Sequence, residues 1–241
     1  SQSFFRSFLE RTGEKQVRIW RKMLREPIYW PTISLGPDDN YAGFKKKPSW
    51  LYEKAAEGKI YWLKDGELVK IEKPYILQGG VYLVDSRCKP NYKNNGKQMW
   101  DDDKKFLGWR IEKLRKEGKL AKRDWCHPTS RFGITVLEAE QHLWPMLTNH
   151  SEFQAAEEIR SESASEFNFI SQCFSFMPRY LKDGETNTFV WFSDYFEDRD
   201  DRLDGGHSDD GGLADVRYSS SGGRWGYGSF RPLAVLALEN L

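Results

Sequence analysis

DRDDRLDGGHSDDGGLADVRYSSSGGRWGYG, residues 198–228, is the stretch on which the reading of this 241-residue chain turns. It contains no Lys, Glu, Gln or Met, although all four occur before it, and the last lysine of the chain is Lys182. Every acid in it is Asp and every strong base is Arg; Gly, Ser, His and Tyr fill most of the rest around apolar posts at Leu203, Leu213, Val216 and Trp225. A segment so rich in glycine buries little side chain by itself and would ordinarily stay disordered. Here it is bounded by Trp191 on one side and an apolar strand on the other, and the posts recur within it. That pattern predicts long loops pinned to a scaffold. Loops of this composition suit recognition: Tyr gives contact area at low entropic cost, Ser and Gly adapt, and Arg and Asp make charge-assisted hydrogen bonds. The plain alternative is a solvated acidic loop.

Working outward, Phe230-Arg-Pro-Leu-Ala-Val-Leu-Ala-Leu238 reads as a closing strand, and YILQGGVYLVD at 75–85 as a first one, with Gly79-Gly80 marking a bulge or a close approach. The two can pair and bring both ends of a domain together. Between them, Asp103 to Glu117 reads as a helix with Leu107, Ile111 and Leu114 on one face and Gly118 as its stop. Thr135-Val-Leu-Glu138 and Ser163-Ala-Ser-Glu166 are capping boxes. The first opens a helix expected to be cut near Pro145, and the second leads into Phe167, Ile170 and Phe174. Pro178–Leu181 and Thr186–Phe192 flank a turn at Asp183-Gly184.

Before Pro74 the expectation is an N-terminal extension, 1–73. It holds a short amphipathic helix (Val17, Trp20, Met23, Leu24) ending before Pro27, an irregular stretch over 27–56, and a hairpin over Lys59–Lys73 turning at Asp65-Gly66. The fold class expected is α+β, with two main helices, a small antiparallel sheet and long loops.

Three pieces resemble the variable proteins of diversity-generating retroelements, prokaryotic or phage proteins whose variable regions sit on a C-type-lectin fold. One is Ser130-Arg-Phe-Gly-Ile134 with Ala164-Ser-Glu-Phe-Asn168. Another is Asn187-Thr-Phe-Val-Trp191. The third comprises Gly205-Gly206, Gly211-Gly-Leu-Ala214 and the ending Ser229-Phe-Arg-Pro-Leu-Ala-Val235. The resemblance spans about 75–241 and is specific in the last fifty residues. It implies a C-type-lectin-like domain over 74–241 with a variable region about 194–228. In that family adenines in selected codons are randomised. An AAY codon then yields Tyr, Asp, His, Ser, Arg, Gly or Ala, among others, but never Lys, Glu, Gln, Met or Trp. Those types are missing from 198–228 apart from Trp225, which reads as a fixed post. By position, the resemblance implies variable contacts at Asp204, His207, Ser208, Asp209, Asp210, Asp215, Arg217, Tyr218, Ser219, Ser220, Ser221, Arg224 and Tyr227. The scaffold posts would be Trp191, Leu203, Leu213, Trp225, Phe230, Arg231 and Pro232. The implied function is ligand binding by a diversified surface. The expected partner is a protein or surface ligand, not nucleic acid, and the sequence fixes no oligomeric state.

Composition narrows the rivals. Residues 1–123 carry 28 basic and 16 acidic side chains, and 124–241 carry 9 and 20, so a net charge of +1 hides a basic and an acidic half. A basic half can serve an anionic partner or nucleic acid, but these residues are spread out and can equally face the acidic half. Cys88, Cys126 and Cys173 form no CxxC pair and no evident disulfide framework, which predicts free thiols; Cys173 sits on an apolar helical face. Formylglycine-generating enzymes share the general fold but look to paired cysteines near the C-terminus, and here none follows Cys173. Asp198, Asp200, Asp201 and Asp204 lack EF-hand spacing. His127, His142, His150 and His207 lack metal-ligand spacing. No enzyme activity, cofactor or metal is therefore expected. No apolar run is long enough to span a bilayer. No signal peptide is visible at Phe4, Phe5, Phe8 and Leu9, so the expectation is cytoplasmic synthesis, compatible with later display on a virion or cell surface.

Overall fold

The computed structural model describes residues 2–23, 25–86, 106–174, 189–206, 214–224 and 228–237. Expectations for Leu24, Cys88, the start of the helix placed at Asp103, and the Asp183-Gly184 turn with Pro178–Leu181 lie outside the described residues. So do those for His207–Leu213 and for Trp225–Tyr227.

The organising strand is β6 (Gly80–Asp85), buried along its whole length. Successive side chains of a strand point to opposite faces. Val81 and Leu83 accordingly join one core cluster and Tyr82 and Val84 the other. Beside β6 lies β12 (Pro232–Leu236), antiparallel, with Leu83 opposite Ala234 and Val81 opposite Leu236. The pairing of the first and closing strands expected from the sequence is thus present. β1 (Arg25–Trp30) and β7 (Ala156–Ser161) complete a four-stranded sheet in the order β1-β6-β12-β7.

One face of that sheet is covered by α1 (Gln2–Thr12), α2 (Glu14–Lys22), α4 (Leu107–Lys116) and α6 (Trp144–Thr148), which contribute Phe8, Trp20, Ile111 and Leu147 to the first cluster. The other face packs on α3 (Ser49–Ala56), α7 (Ala164–Cys173) and the second sheet, through Leu51, Phe167, Ile170, Val190 and Phe192. Each fully buried aliphatic or aromatic side chain contributes about 1.5–3 kcal/mol. The second sheet is built from β3 (Ile60–Lys64), β4 (Glu67–Lys70), β8 (Phe189–Phe196), β9 (Asp201–Gly205) and β10 (Val216–Ser220) in the order β10-β9-β8-β3-β4, with β11 (Gly228–Phe230) parallel to β8. A two-stranded ladder joins β2 (Ile33–Ser34) to β5 (Ile76–Leu77). The mixture of helix and sheet is α+β, as expected.

Several local readings hold. Asp65 and Gly66 turn the β3–β4 hairpin with φ of 50° and 82°. The Thr135 hydroxyl accepts the Glu138 amide at 3.0 Å while Glu138 accepts the Thr135 amide at 2.9 Å, opening α5 (Val136–Glu138). The Ser163/Glu166 box opens α7 in the same way. Gly79 is a close approach: a Cβ there would lie 2.5 Å from the Thr32 amide nitrogen, so only glycine lets β6 start against that segment.

Three expectations are corrected. The stretch 27–56 is not uniformly irregular, because Arg25–Trp30 is a strand of the first sheet and Ser49–Ala56 is a helix. Pro27 is tolerated because β1 is an edge strand, where a missing N–H need not break the sheet. The helix after Thr135 is not cut at Pro145; a π-helical turn, Ala139–Leu143, carries it into α6, and the widened turn accommodates the missing proline N–H. Finally, the boundary at 73/74 is crossed by three ladders, β1 with β6, β3 with β8 and β2 with β5, so residues 1–73 are woven into the sheets rather than appended.

Candidate functional site

The tail is positioned by β8. Trp191 is buried at its centre, and β9 pairs antiparallel to it with Trp191 opposite Asp204 and Tyr195 opposite Arg202. β10 returns antiparallel on β9, with Val216 opposite Gly205, Arg217 opposite Asp204 and Tyr218 opposite Leu203. Gly205 makes this return possible: a Cβ on it would lie 2.1 Å from the Asp215 carbonyl oxygen, which also accepts the Gly206 amide at 3.0 Å. Among the described residues, β10 forms one margin of the sheet, with β9 as its strand neighbour.

The positions singled out from the sequence fall into three groups. Tyr218, at 49% exposure, is the most open large apolar side chain among the described residues of the tail; Ser220 and Arg224 are exposed as well, and Arg217 and Ser219 are half-buried. Tyr218 stacks on Phe196 (centroids 4.1 Å apart, planes at 17°) and beyond it lies near-parallel to Trp50 of α3 at 6.3 Å. Arg224 pairs with Glu138 at 3.3 Å. Burial pulls the Glu138 carboxyl upward, but amide hydrogen bonds from Thr135 and Ala121 and the Arg224 charge outweigh it and hold its pKa below the ordinary value.

The second group corrects the expected list. Asp204, Asp215 and Ser221 are buried, not displayed. Asp204, at 2% exposure, accepts Nε of Arg217 at 2.8 Å from directly across the ladder. Its pKa is raised because burial outweighs hydrogen bonding to Arg217 and Ser219. The guanidinium carbon of Arg217 lies 3.4 Å from the centre of the Phe189 ring, so Arg217 is held on two sides. Ser221 is anchored through its amide to the Asp200 carbonyl at 2.7 Å. The third group, His207, Ser208, Asp209, Asp210 and Tyr227, lies outside the described residues.

The posts behave as a scaffold where they are described: Trp191, Leu203, Phe230, Arg231 and Pro232 are buried. Arg231 belongs to a buried clasp on Asp85. Its Nη2 donates to the Asp85 carbonyl at 2.5 Å, Arg131 contacts the Asp85 carboxylate at 2.7 Å, and Arg25 approaches it at 3.5 Å. Glu162, fully buried nearby, has its pKa pushed up to about 8, because burial outweighs the attraction of Arg231.

Sequence reasoning missed Trp50, which the fold brings beside Tyr218 across a long sequence separation, and no local signal could have found it. It also missed Arg202, buried over the Tyr195 ring and paired with Glu140 through both carboxylate oxygens at 2.9 and 3.0 Å. Asp198 and Asp204 do not converge as cation ligands: Asp198 accepts the Asp200 amide at 2.8 Å in its own turn, while Asp204 is engaged by Arg217. Cys126 and Cys173 are free thiols and both half-buried; burial lifts the Cys173 pKa to about 11, away from the thiolate a nucleophile needs. Arg25, Arg110 and Arg115 of the basic half are interior side chains, which removes them from any anion-facing surface. Among the described residues no helix is long and apolar enough to cross a membrane.

The described face therefore offers ring surface, hydroxyls and a guanidinium, the chemistry of contact. No protein-family model, curated protein or solved structure matches the chain.

Proposed function

We propose that this chain is a recognition protein, a variable protein of a diversity-generating retroelement, whose C-type-lectin-like scaffold presents the tail as a ligand-binding surface without catalysing a reaction. The observation that carries this reading is the division within the tail. Tyr218, Ser220 and Arg224 are exposed on and beside a marginal strand, while Leu203, Trp191 and Phe230 are interior. The restricted composition of 198–228 and the pairing of β6 with β12 support it independently. A ligand would take most of its binding energy from a few rings and arginines near the centre of the patch, here Tyr218 flanked by Trp50, with Arg217 beside it.

Burial sharpens the list of diversified positions: Arg217, Tyr218, Ser219, Ser220 and Arg224 vary, whereas Asp204, Asp215 and Ser221 are constrained by the interior. The deciding experiment is to sequence related copies from one source together with the neighbouring DNA. The expected result is substitution concentrated at these five positions and at His207, Ser208, Asp209, Asp210 and Tyr227, beside a reverse-transcriptase gene and a near-identical template copy of the segment encoding 198–238. Substitutions spread evenly over the chain would overturn the proposal.

A further inference from the structure

Away from the tail, a groove of about 1020 Å³ opens between the β3–β4 hairpin, the 70–78 segment, the π turn and α6, and a floor made by β7, the start of α7 and β8. Among the described residues of 198–228 none lines it, although Arg202 holds Glu140 of its lining. Its size suits an organic ligand. Trp62, at 46% exposure, Leu63 and Ile76 form an open apolar wall, with Trp144 and Tyr82 deeper.

The polar lining is lopsided. Glu72, Glu140, Glu157, Glu158, Glu166 and Asp194 line the groove against Lys70, Lys73 and Arg160, and Glu140 is held from behind by Arg202 at 2.9 Å. Arg160 is already held by Glu166 at 2.7 and 2.8 Å and by Glu158 at 3.1 Å. The α7 N-terminus, which elsewhere could attract an anion, is occupied from within: Asp194 accepts the Ala164 amide at 2.6 Å, Glu166 the Ser163 amide, and Ser163 Oγ the Glu166 amide. The wall can also receive a cation: the Lys64 ammonium lies 5.8 Å from the Trp62 ring centre.

We infer that this groove is a binding site for a small organic cation, an ammonium on an aromatic or aliphatic body. The body packs on Trp62 and Ile76, and the charged end faces Glu72 and Glu157, exposed carboxylates of the lining. The site is independent of the tail surface, so either can fail without the other.

The test uses the full chain and phenethylammonium as probe, with 2-phenylethanol and phenylacetate as neutral and anionic counterparts of similar shape, followed by calorimetry and tryptophan fluorescence. The expected result is saturable binding of the ammonium about tenfold tighter than of either counterpart. Trp62→Ala should weaken it about fivefold without changing the circular dichroism. Glu72→Gln with Glu157→Gln, both at the rim, should weaken it more at low salt than at high salt. The inference is overturned by absence of saturable binding, by equal binding of the alcohol or the carboxylate, or by a folded Trp62→Ala protein that binds as before.

Discussion

β10 and the approach to β12 lie close together in the chain, and each carries an arginine set against an aspartate on another strand: Arg217 within β10 and Arg231 just before β12. Arg217 meets Asp204 at the margin of the second sheet, while Arg231 meets Asp85 beside the inner strand of the first. The residue types are the same and the consequences differ. At the margin the guanidinium remains half-exposed, lies on the Phe189 ring, and can be exchanged with modest loss. Inside, Asp85 is fully buried and gathers Arg25, Arg131 and Arg231 from distant segments, so that removing it strands several charges without water. Position within a sheet, more than residue identity, decides which part of the tail can change.

The sharpest way to break that contrast is Asp85→Ala, expected to cost about 3–5 kcal/mol in urea unfolding, as for other buried ion clusters that lose a member. A cost below that of Arg217→Ala would reverse the comparison. Next comes Glu162→Gln. The Glu162 carboxyl keeps its proton up to about pH 8 in the folded protein, whereas the unfolded chain releases it near 4.5. The folded state thus binds more protons across that window, and the stability contribution, complete below pH 4.5, is lost as pH rises toward 8. Glutamine stays neutral throughout, so the variant should gain on the wild type with rising pH, by on the order of 4 kcal/mol at pH 8, read from paired unfolding curves.

Arg217→Ala should cost about 1–2 kcal/mol, between an exposed and a buried pair, because it leaves the Asp204 carboxylate buried alone. Tyr218→Ala should lower stability by about 1 kcal/mol through the lost stack on Phe196. Ser220→Ala, exposed on β10, should stay within about 0.5 kcal/mol of the wild type. A large loss of stability in either of the last two would place the outer strand inside the core after all.

Much of this division was legible in the sequence, because its signals are local. The two capping boxes, the Asp65-Gly66 turn, the strand at 75–85 and the apolar closing strand each state their structure within a few residues. What stayed hidden depends on neighbours far along the chain. Pro27 suggested irregular backbone, yet lies in an edge strand where proline is tolerated. Pro145 suggested a helix end, yet a π turn before it lets the helix continue. In the tail, composition marked a polar segment but not its faces. Asp204, Asp215 and Ser221 look like any surface residue until the Arg217 pair, the Gly205 contact and the Asp200 anchor turn them inward. The groove over α7 was not legible at all, since its lining is gathered from six separate stretches.

The place of β12 has a consequence for how the molecule is made. It lies between β6 and β7, which have no ladder with each other, and is translated long after both. During synthesis the first sheet is a seam held open for its last member, with Val81, Leu83 and Ile159 lacking their cover. Closure waits on residues 232–236 emerging from the ribosome, so this sheet is completed late, through contacts of high sequence separation that form slowly. Until then the nascent chain presents the kind of apolar edge that chaperones hold.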